Sequence, residues 1–211
     1  MLPQYFTVNE YGSHEINIQK SRFIAYVARA ETEQAAQDFI TKIKKQHWDA
    51  THNCSAYLIG ENDQIQKAND DGEPSGTAGT PILEVLKKKH LKDTVVVITR
   101  YFGGIKLGAG GLIRAYGKAT SEGITHTGIV ERVLVTTMKI KAEYHLLGKI
   151  ERSIRESEFK MKEIHYNEAV EIEAYVEMSK VGAFKEWMVD LTNGQTDLSE
   201  GEQVYLENPV E

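Results

Sequence analysis

The sequence predicts an α+β protein built from two domains, and three observations point there. Over the last ~75 residues the hydrophobic period switches in the order β-α-β-β-α-β. Upstream, a β-branched run at Thr94–Thr99 leads through a glycine-rich loop into an amphipathic helix. Charge also divides by position: residues 1–134 carry 16 basic and 15 acidic groups, whereas 135–211 carry 9 and 16. At 211 residues the chain has room for one or two domains of ordinary size.

In the first domain, 1–134, strands are expected near Phe6–Val8, Glu15–Lys20 and Phe23–Arg29. A helix from about Thr32 to Gln46 follows, because Ala36, Phe39, Ile40 and Ile43 recur at helical spacing. Cys54–Ile59 alternates as a strand. After a Gly/Pro/Asp-rich loop at 69–80, Thr80-Pro81 suits the N-cap and first position of a helix carrying Ile82, Leu83, Val85 and Leu86. Thr94–Thr99 is β-branched throughout, which marks a central strand covered on both faces. A helix over about 110–125 then buries Leu112, Ile113, Tyr116 and Ala119. These elements describe an α/β domain with a mixed sheet.

The second domain, 135–211, opens with a strand in which Met138, Ile140 and Ala142 alternate with Lys139 and Lys141. Leu147, Ile150 and Ile154 define a helix from Tyr144 to about Glu156, and Phe159 to Tyr166 reads as a strand. An Asn167-Glu168 turn leads into Val170–Met178, where apolar residues alternate with Glu171, Glu173, Tyr175 and Glu177. Ser179 is a natural N-cap for a helix with Phe184, Trp187, Met188 and Leu191 on one face, and Asn193-Gly194 ends it before a strand from Thr196 to Leu206. This order is the ferredoxin-like arrangement, two helices on one face of a four-stranded antiparallel sheet.

The net charge of −6 argues against a protein that coats nucleic acid through its overall charge, but it averages +1 and −7 halves. From Lys87 to Lys118 there are eight basic residues against Asp93 alone. One cysteine, Cys54, excludes an intramolecular disulfide, the N-terminus lacks the layout of a signal peptide, and no apolar run approaches ~20 residues. A cytoplasmic protein with no membrane partner is expected.

The segment most informative about chemistry runs from Val95 to Lys118. A buried strand enters a loop containing Gly103, Gly104, Gly108, Gly110 and Gly111, and the loop opens a helix. Glycines let a ligand approach the backbone, and a helix start offers unpaired N–H groups and positive potential, so an anion is the natural ligand. Arg114 and Lys118 stand four apart on one helical face, an unfavourable spacing unless a negative group lies between them. The spacing matches neither GxGxxG nor GxxxxGK[ST]. Phosphate contacts from Arg100, Lys106, Arg114 and Lys118 are expected, with Tyr101 or Phe102 stacking on a base. The alternative is a tight corner beside a solvated cationic face.

A second segment, Asn69 to Leu83, carries Asp70, Asp71 and Glu73 followed by Ser75 and Thr77. These side chains suit a divalent metal, but Asp-Gly, Glu-Pro and Ser-Gly are also turn-forming dipeptides, and the turn reading is preferred. A third, His47 to Cys54, sets His47 and His52 near Cys54. It lacks a fourth zinc ligand, and Cys54 reads as a small buried hydrophobe. No metal and no cofactor are assigned.

The stretches Asp70–Gly79 with Pro81-Ile82-Leu83, and Arg100–Gly108 with Gly110–Tyr116, closely resemble the signature of the IMPACT/YigZ family. Ser21-Arg22-Phe23-Ile24 and His52–Tyr57 fit it too. The resemblance implies a ribosomal-protein-like N-terminal domain and a C-terminal domain similar to the last domain of elongation factor G, both of whose relatives work on ribosomal RNA. Eukaryotic members regulate translation in the amino-acid-starvation stress response and carry an additional N-terminal domain. With 20 residues ahead of Ser21, the expectation here follows the bacterial members. The family supplies no catalytic residues.

The function expected is therefore binding of nucleic acid, ribosomal or other structured RNA, to modulate translation in association with the ribosome. One alternative is a metal-assisted enzyme acting on a nucleotide or phosphorylated small molecule through Asp70, Asp71 or Glu73. Another is a docking module whose acidic sheet face, Glu171, Glu173 and Glu177 around Tyr175, meets a basic protein.

Overall fold

A computed structural model describes residues 1–210. The chain divides into two compact units, Tyr5–Glu131 and Arg132–Glu207, with Met1–Gln4 belonging to the latter. The mixed α+β class holds in both.

In the first unit, β1 (Gln4–Val8), β2 (Tyr11–Ile18) and β3 (Ser21–Arg29) precede α1 (Glu33–Gln46). Strands β4 (His52–Ile59) and β5 (Ile65–Asn69), helix α2 (Gly79–Lys88), strand β6 (Thr94–Tyr101) and helix α3 (Gly108–Thr127) complete it. The sheet order is β2-β3-β6-β4-β5, so the β-branched run does occupy the centre. Every neighbouring pair is antiparallel, which corrects the expectation of a mixed sheet. The reason lies in the two helical crossovers. Each joins strands that run the same way, β3 to β4 and β5 to β6, yet an antiparallel strand is inserted between the members of each pair.

Helix α1 covers one sheet face through Ala36, Phe39, Ile40 and Ile43, against Ile24, Tyr26, Val95 and Val97. Helices α2 and α3 cover the other, where Ile82, Leu86, Leu112, Tyr116 and Ala119 meet Phe23, Ala25, Cys54, Val96 and Ile98. Burial on both faces is why β6 carries no polar alternation. Ile113 departs from expectation: it lies on the outer side of α3 and is 46% exposed.

The second unit contains β7 (Ile129–Ala142), α4 (Tyr144–Arg155), β8 (Lys160–Tyr166), β9 (Val170–Glu177), α5 (Val181–Thr192) and β10 (Asp197–Val210). β9 pairs antiparallel with β7 and β8, and β10 pairs with β7. The order β10-β7-β9-β8 is that of a ferredoxin-like sheet. Its core joins Met138, Ile140, Ile172 and Ala174 to Ile150, Ile154, Phe184 and Met188. Ser179 does not cap α5. It falls in a 3-10 turn, Met178–Lys180, and no side chain caps the helix start.

Candidate functional site

The acidic loop between β5 and α2 is held by its own carboxylates, each with different partners. Asp70 accepts from the backbone N–H groups of Gly76, Ala78 and Gly79 at 2.8, 3.1 and 2.8 Å, and so caps α2 from nine residues away. Helix α2 therefore starts at Gly79, with Pro81 in its third position. Burial alone would raise the Asp70 carboxyl, but the three N–H groups outweigh it and hold the group below its ordinary range. Asp71 accepts from the Asn53 N–H at 2.6 Å and from the Lys44 ammonium at 2.5 Å. Thr77 donates to the Pro74 carbonyl at 2.6 Å, and Ser75 is exposed. This geometry is that of turns and caps, and it does not converge the loop's carboxylates on one point.

Glu73 turns inward instead. Its Oε1 accepts from Arg100 Nη1 at 2.6 Å and from the Tyr116 hydroxyl at 2.8 Å. Arg100 is thus buried, 5% exposed, with its charge answered within the protein. The expectation that it rests on phosphate is corrected to that extent: β6 points it inward, between the rings of Phe23 and Phe102 at 5.4 and 5.5 Å. Cys54 Sγ lies 3.3 Å from the Tyr116 hydroxyl and 3.0 Å from the Asp70 carbonyl, and burial pushes its thiol up to about 12. That excludes a reactive thiolate at neutral pH.

Above this pair opens a groove of about 390 Å³. Glu73 and Arg100 form part of its lining with His52, Phe102, Lys106 and the α3 start at Gly108 and Ala109. His52 Nδ1 lies 2.8 Å from the Asp71 carbonyl, which accepts only, so Nδ1 carries the proton. Its Nε2 is 3.7 Å from Glu73 Oε2. The β4 alternation puts His52 on the same face as Cys54, Ala56 and Leu58, so period-2 reasoning alone could have directed it toward this side of the sheet. Tyr116, expected merely as core, proves to be the polar link between Glu73 and Cys54.

The glycines serve different purposes. A Cβ on Gly103 would stand 2.1 Å from the Lys20 carbonyl carbon and oxygen, so this glycine is demanded by the adjacent turn. Gly104 and Gly108 adopt φ of +88° and +71°. Gly110 is exposed, and a Cβ there would make an ordinary contact with Arg114, so its packing sets no need for glycine. Gly111 sits over Leu107. No side chain caps α3. Beyond its first turn Arg114 and Lys118 are both exposed, and Lys118 leans on Glu122 at 3.7 Å, a weak surface pair.

Of the two candidate stacking residues, Tyr101 is already occupied. Its hydroxyl donates to Asp49 at 3.2 Å and receives the His47 Nδ1 proton at 2.8 Å, and the Arg22 guanidinium covers its ring at 5.3 Å. His47 Nε2 in turn accepts from the Tyr26 hydroxyl at 2.5 Å, and burial lowers the pKa of this histidine. Phe102 also has a guanidinium over its ring, that of Arg100 at 5.5 Å, but it is 46% exposed and lines the groove.

In the second unit, Glu163, His165 and Glu173 bring ligand atoms within 4.8 Å of one another. They do not fit a cation, because Glu173 faces the ammonium groups of Lys162 at 2.9 Å and Lys139 at 3.4 Å. Lys139 also lies 3.7 Å from Glu171, and Lys180 lies 3.1 Å from Glu177. Lysines thus stand against part of the acidic sheet face, most closely at Glu173, through pairs that are largely exposed and weak.

The family model of the Impact N-terminal domain matches residues 19–124, the span that contains the groove, both of its motifs and α3 almost entire. The chain belongs to the IMPACT family. A second family model, a domain of unknown function (DUF1949), matches residues 140–195 of this IMPACT protein. The IMPACT family member YvyE of Bacillus subtilis (strain 168) is 68% identical over 210 residues, covering 100% of this chain and 97% of that protein. YigZ of Escherichia coli (strain K12) is 33% identical over 183 residues, covering 86% and 90%. A crystal structure described as that of an hypothetical protein aligns with a TM-score of 0.61 and 30% identity, over 96% of this chain and 99% of that one.

Proposed function

We propose that this IMPACT-family protein binds RNA through the surface around the α3 start and acts in translation. The observation that carries the reading is the groove itself. An uncapped helix start, the Lys106 ammonium and the half-exposed Phe102 ring line one concavity, and Arg114 and Lys118 continue along the same helix. Among the described residues no carboxylate lies within 4 Å of the Lys106 or Arg114 cation, so both are available to phosphate. Backbone contacts of this kind position a nucleic acid, and an aromatic ring beside them accepts a base of any sequence. The metal-assisted alternative finds less support, since Asp70, Asp71 and Glu73 are each engaged by other groups.

The link to translation rests on the resemblance of the two domains to ribosome-acting relatives. No helix among the described residues is long and apolar enough to cross a membrane. Co-sedimentation with ribosomes at low and high salt, followed by crosslinking, tests the reading. The expected result is salt-sensitive association with crosslinks from Lys106 or Phe102 to RNA. Crosslinks confined to ribosomal proteins, or no association at low salt, would contradict it.

A further inference from the structure

We infer that the groove is a pocket for one unpaired nucleotide, its phosphate at the α3 start beside Lys106 and its base against Phe102. The inference rests on the RNA-binding reading and makes it narrower: the pocket selects a single-stranded or terminal nucleotide over a paired one.

Four observations converge. A volume of about 390 Å³ lies at the small end of the range for ligand pockets, roughly 300–1,000 Å³, which suits one nucleotide. The Lys106 ammonium and the α3 start at Leu107, Gly108 and Ala109 share the lining, which brings a cation and uncapped helix N–H groups to the same groove. Gly110, next along the helix, leaves the backbone open although packing does not require a glycine there. Phe102 also lines the groove, and its backbone is held there by an N–H donating to Thr51 Oγ1 at 3.0 Å.

The floor supplies the independent sign of a ligand. The Arg100 side chain is 6% exposed, lines the groove, and leaves its Nε with no hydrogen-bond partner among the described residues. Buried donors are paired in folded proteins with few exceptions, and this unmet one belongs to a side chain of the groove's own lining. Glu73 is 4% exposed at the same place, with both of its donors on Oε1, which leaves Oε2 to the groove, 3.7 Å from the unprotonated His52 Nε2. A nucleotide offers both complements, acceptor oxygens and base N–H groups. The Glu73–Arg100 pair is itself neutral, so it adds no repulsion toward the phosphate. A base still stacked and paired in a duplex presents no free face to Phe102, hence the preference for an unpaired one.

The test uses the full chain with a 2-aminopurine-labelled single-stranded RNA hexamer, the same hexamer in duplex, and AMP, adenosine and inorganic phosphate as separate competitors. The fluorescence of the single strand is expected to be quenched on binding and restored by AMP, with adenosine or phosphate alone much weaker. The Phe102→Ala variant is expected to weaken AMP by roughly tenfold, the scale of one base–aromatic stack. It should leave the salt dependence of longer RNA in place. Lys106→Gln serves as the second variant and should weaken AMP but not adenosine.

AMP binding without RNA binding would support the pocket and count against the RNA reading. RNA binding that AMP does not displace, with equal affinity for single strand and duplex, would overturn the pocket while leaving the RNA reading intact. Absence of both would overturn both.

Discussion

Arg100 and Glu73 form an ion pair inside the protein: Nη1 lies 2.6 Å from Oε1, and the two side chains are 6% and 4% exposed. The pair fastens the glycine-rich segment to the acidic loop 27 residues earlier. Two stretches that look like separate motifs are thus two walls of one groove.

Removing one member of such a pair leaves a buried charge without a partner, at a cost of about 3–5 kcal/mol. Glu73→Gln is therefore expected to lower the urea midpoint strongly. The double variant Glu73→Gln with Arg100→Met should regain much of the loss. A single variant within ~1 kcal/mol of the parent would show that the pair is not the fastening described.

The glycines are separable by stability. Gly103→Ala forces a Cβ into the Lys20 backbone and is expected to destabilise by ~1–3 kcal/mol or more. Gly117, in the middle of α3 with open space around its Cβ position, should gain about 0.5–1 kcal/mol as alanine. Gly110→Ala should fold normally and bind RNA less well. Chemical denaturation beside RNA titration separates the three cases.

Asp70 makes part of the stability pH-dependent. Its folded-state pKa lies below the ordinary 3.8, so the unfolded chain binds more protons in that range. The contribution is present in full above pH 3.8 and is lost as pH falls through the folded value. Asp70→Asn should lower stability at neutral pH by ~1 kcal/mol, the scale of a lost helix cap, and flatten the acid limb. Denaturation midpoints from pH 7 down to pH 3 for both proteins provide the check.

Cys54 is expected to be inert while the protein is folded. Its thiol is raised to about 12 chiefly by burial, so almost no thiolate exists at pH 8. A thiol reagent should react at the rate of unfolding in native buffer and at once in concentrated urea. Rapid labelling of the native protein would contradict the described packing around Tyr116.

Much of the fold could be read in the sequence because its signals are local. Thr94–Thr99 declares a doubly covered strand by composition, and the alternation of Val170–Glu177 declares a half-covered one. Strand β5 has no such signal, because only Ile65 is partly covered while Gln66, Lys67, Ala68 and Asn69 lie exposed at the sheet edge. The sequence places the start of α2 two residues too late, because its cap, Asp70, reaches it through space. Arg100 resembled a phosphate contact since nothing nearby in sequence offers it a carboxylate. Its partner becomes visible once β6 and the acidic loop are packed together. Gly103 looked like a ligand glycine for the same reason, as its obstacle is the distant Lys20 backbone.

The central claim, that the cations of the α3 surface hold nucleic-acid phosphates, is tested most directly by the salt dependence of single-stranded RNA affinity. The parent and the Arg114→Gln/Lys118→Gln double variant are measured side by side. Each neutralised phosphate contact contributes roughly 0.7 to the slope of log K against log salt, so the double variant should bind more weakly with a slope flatter by about 1.4. A slope unchanged from the parent would contradict the account.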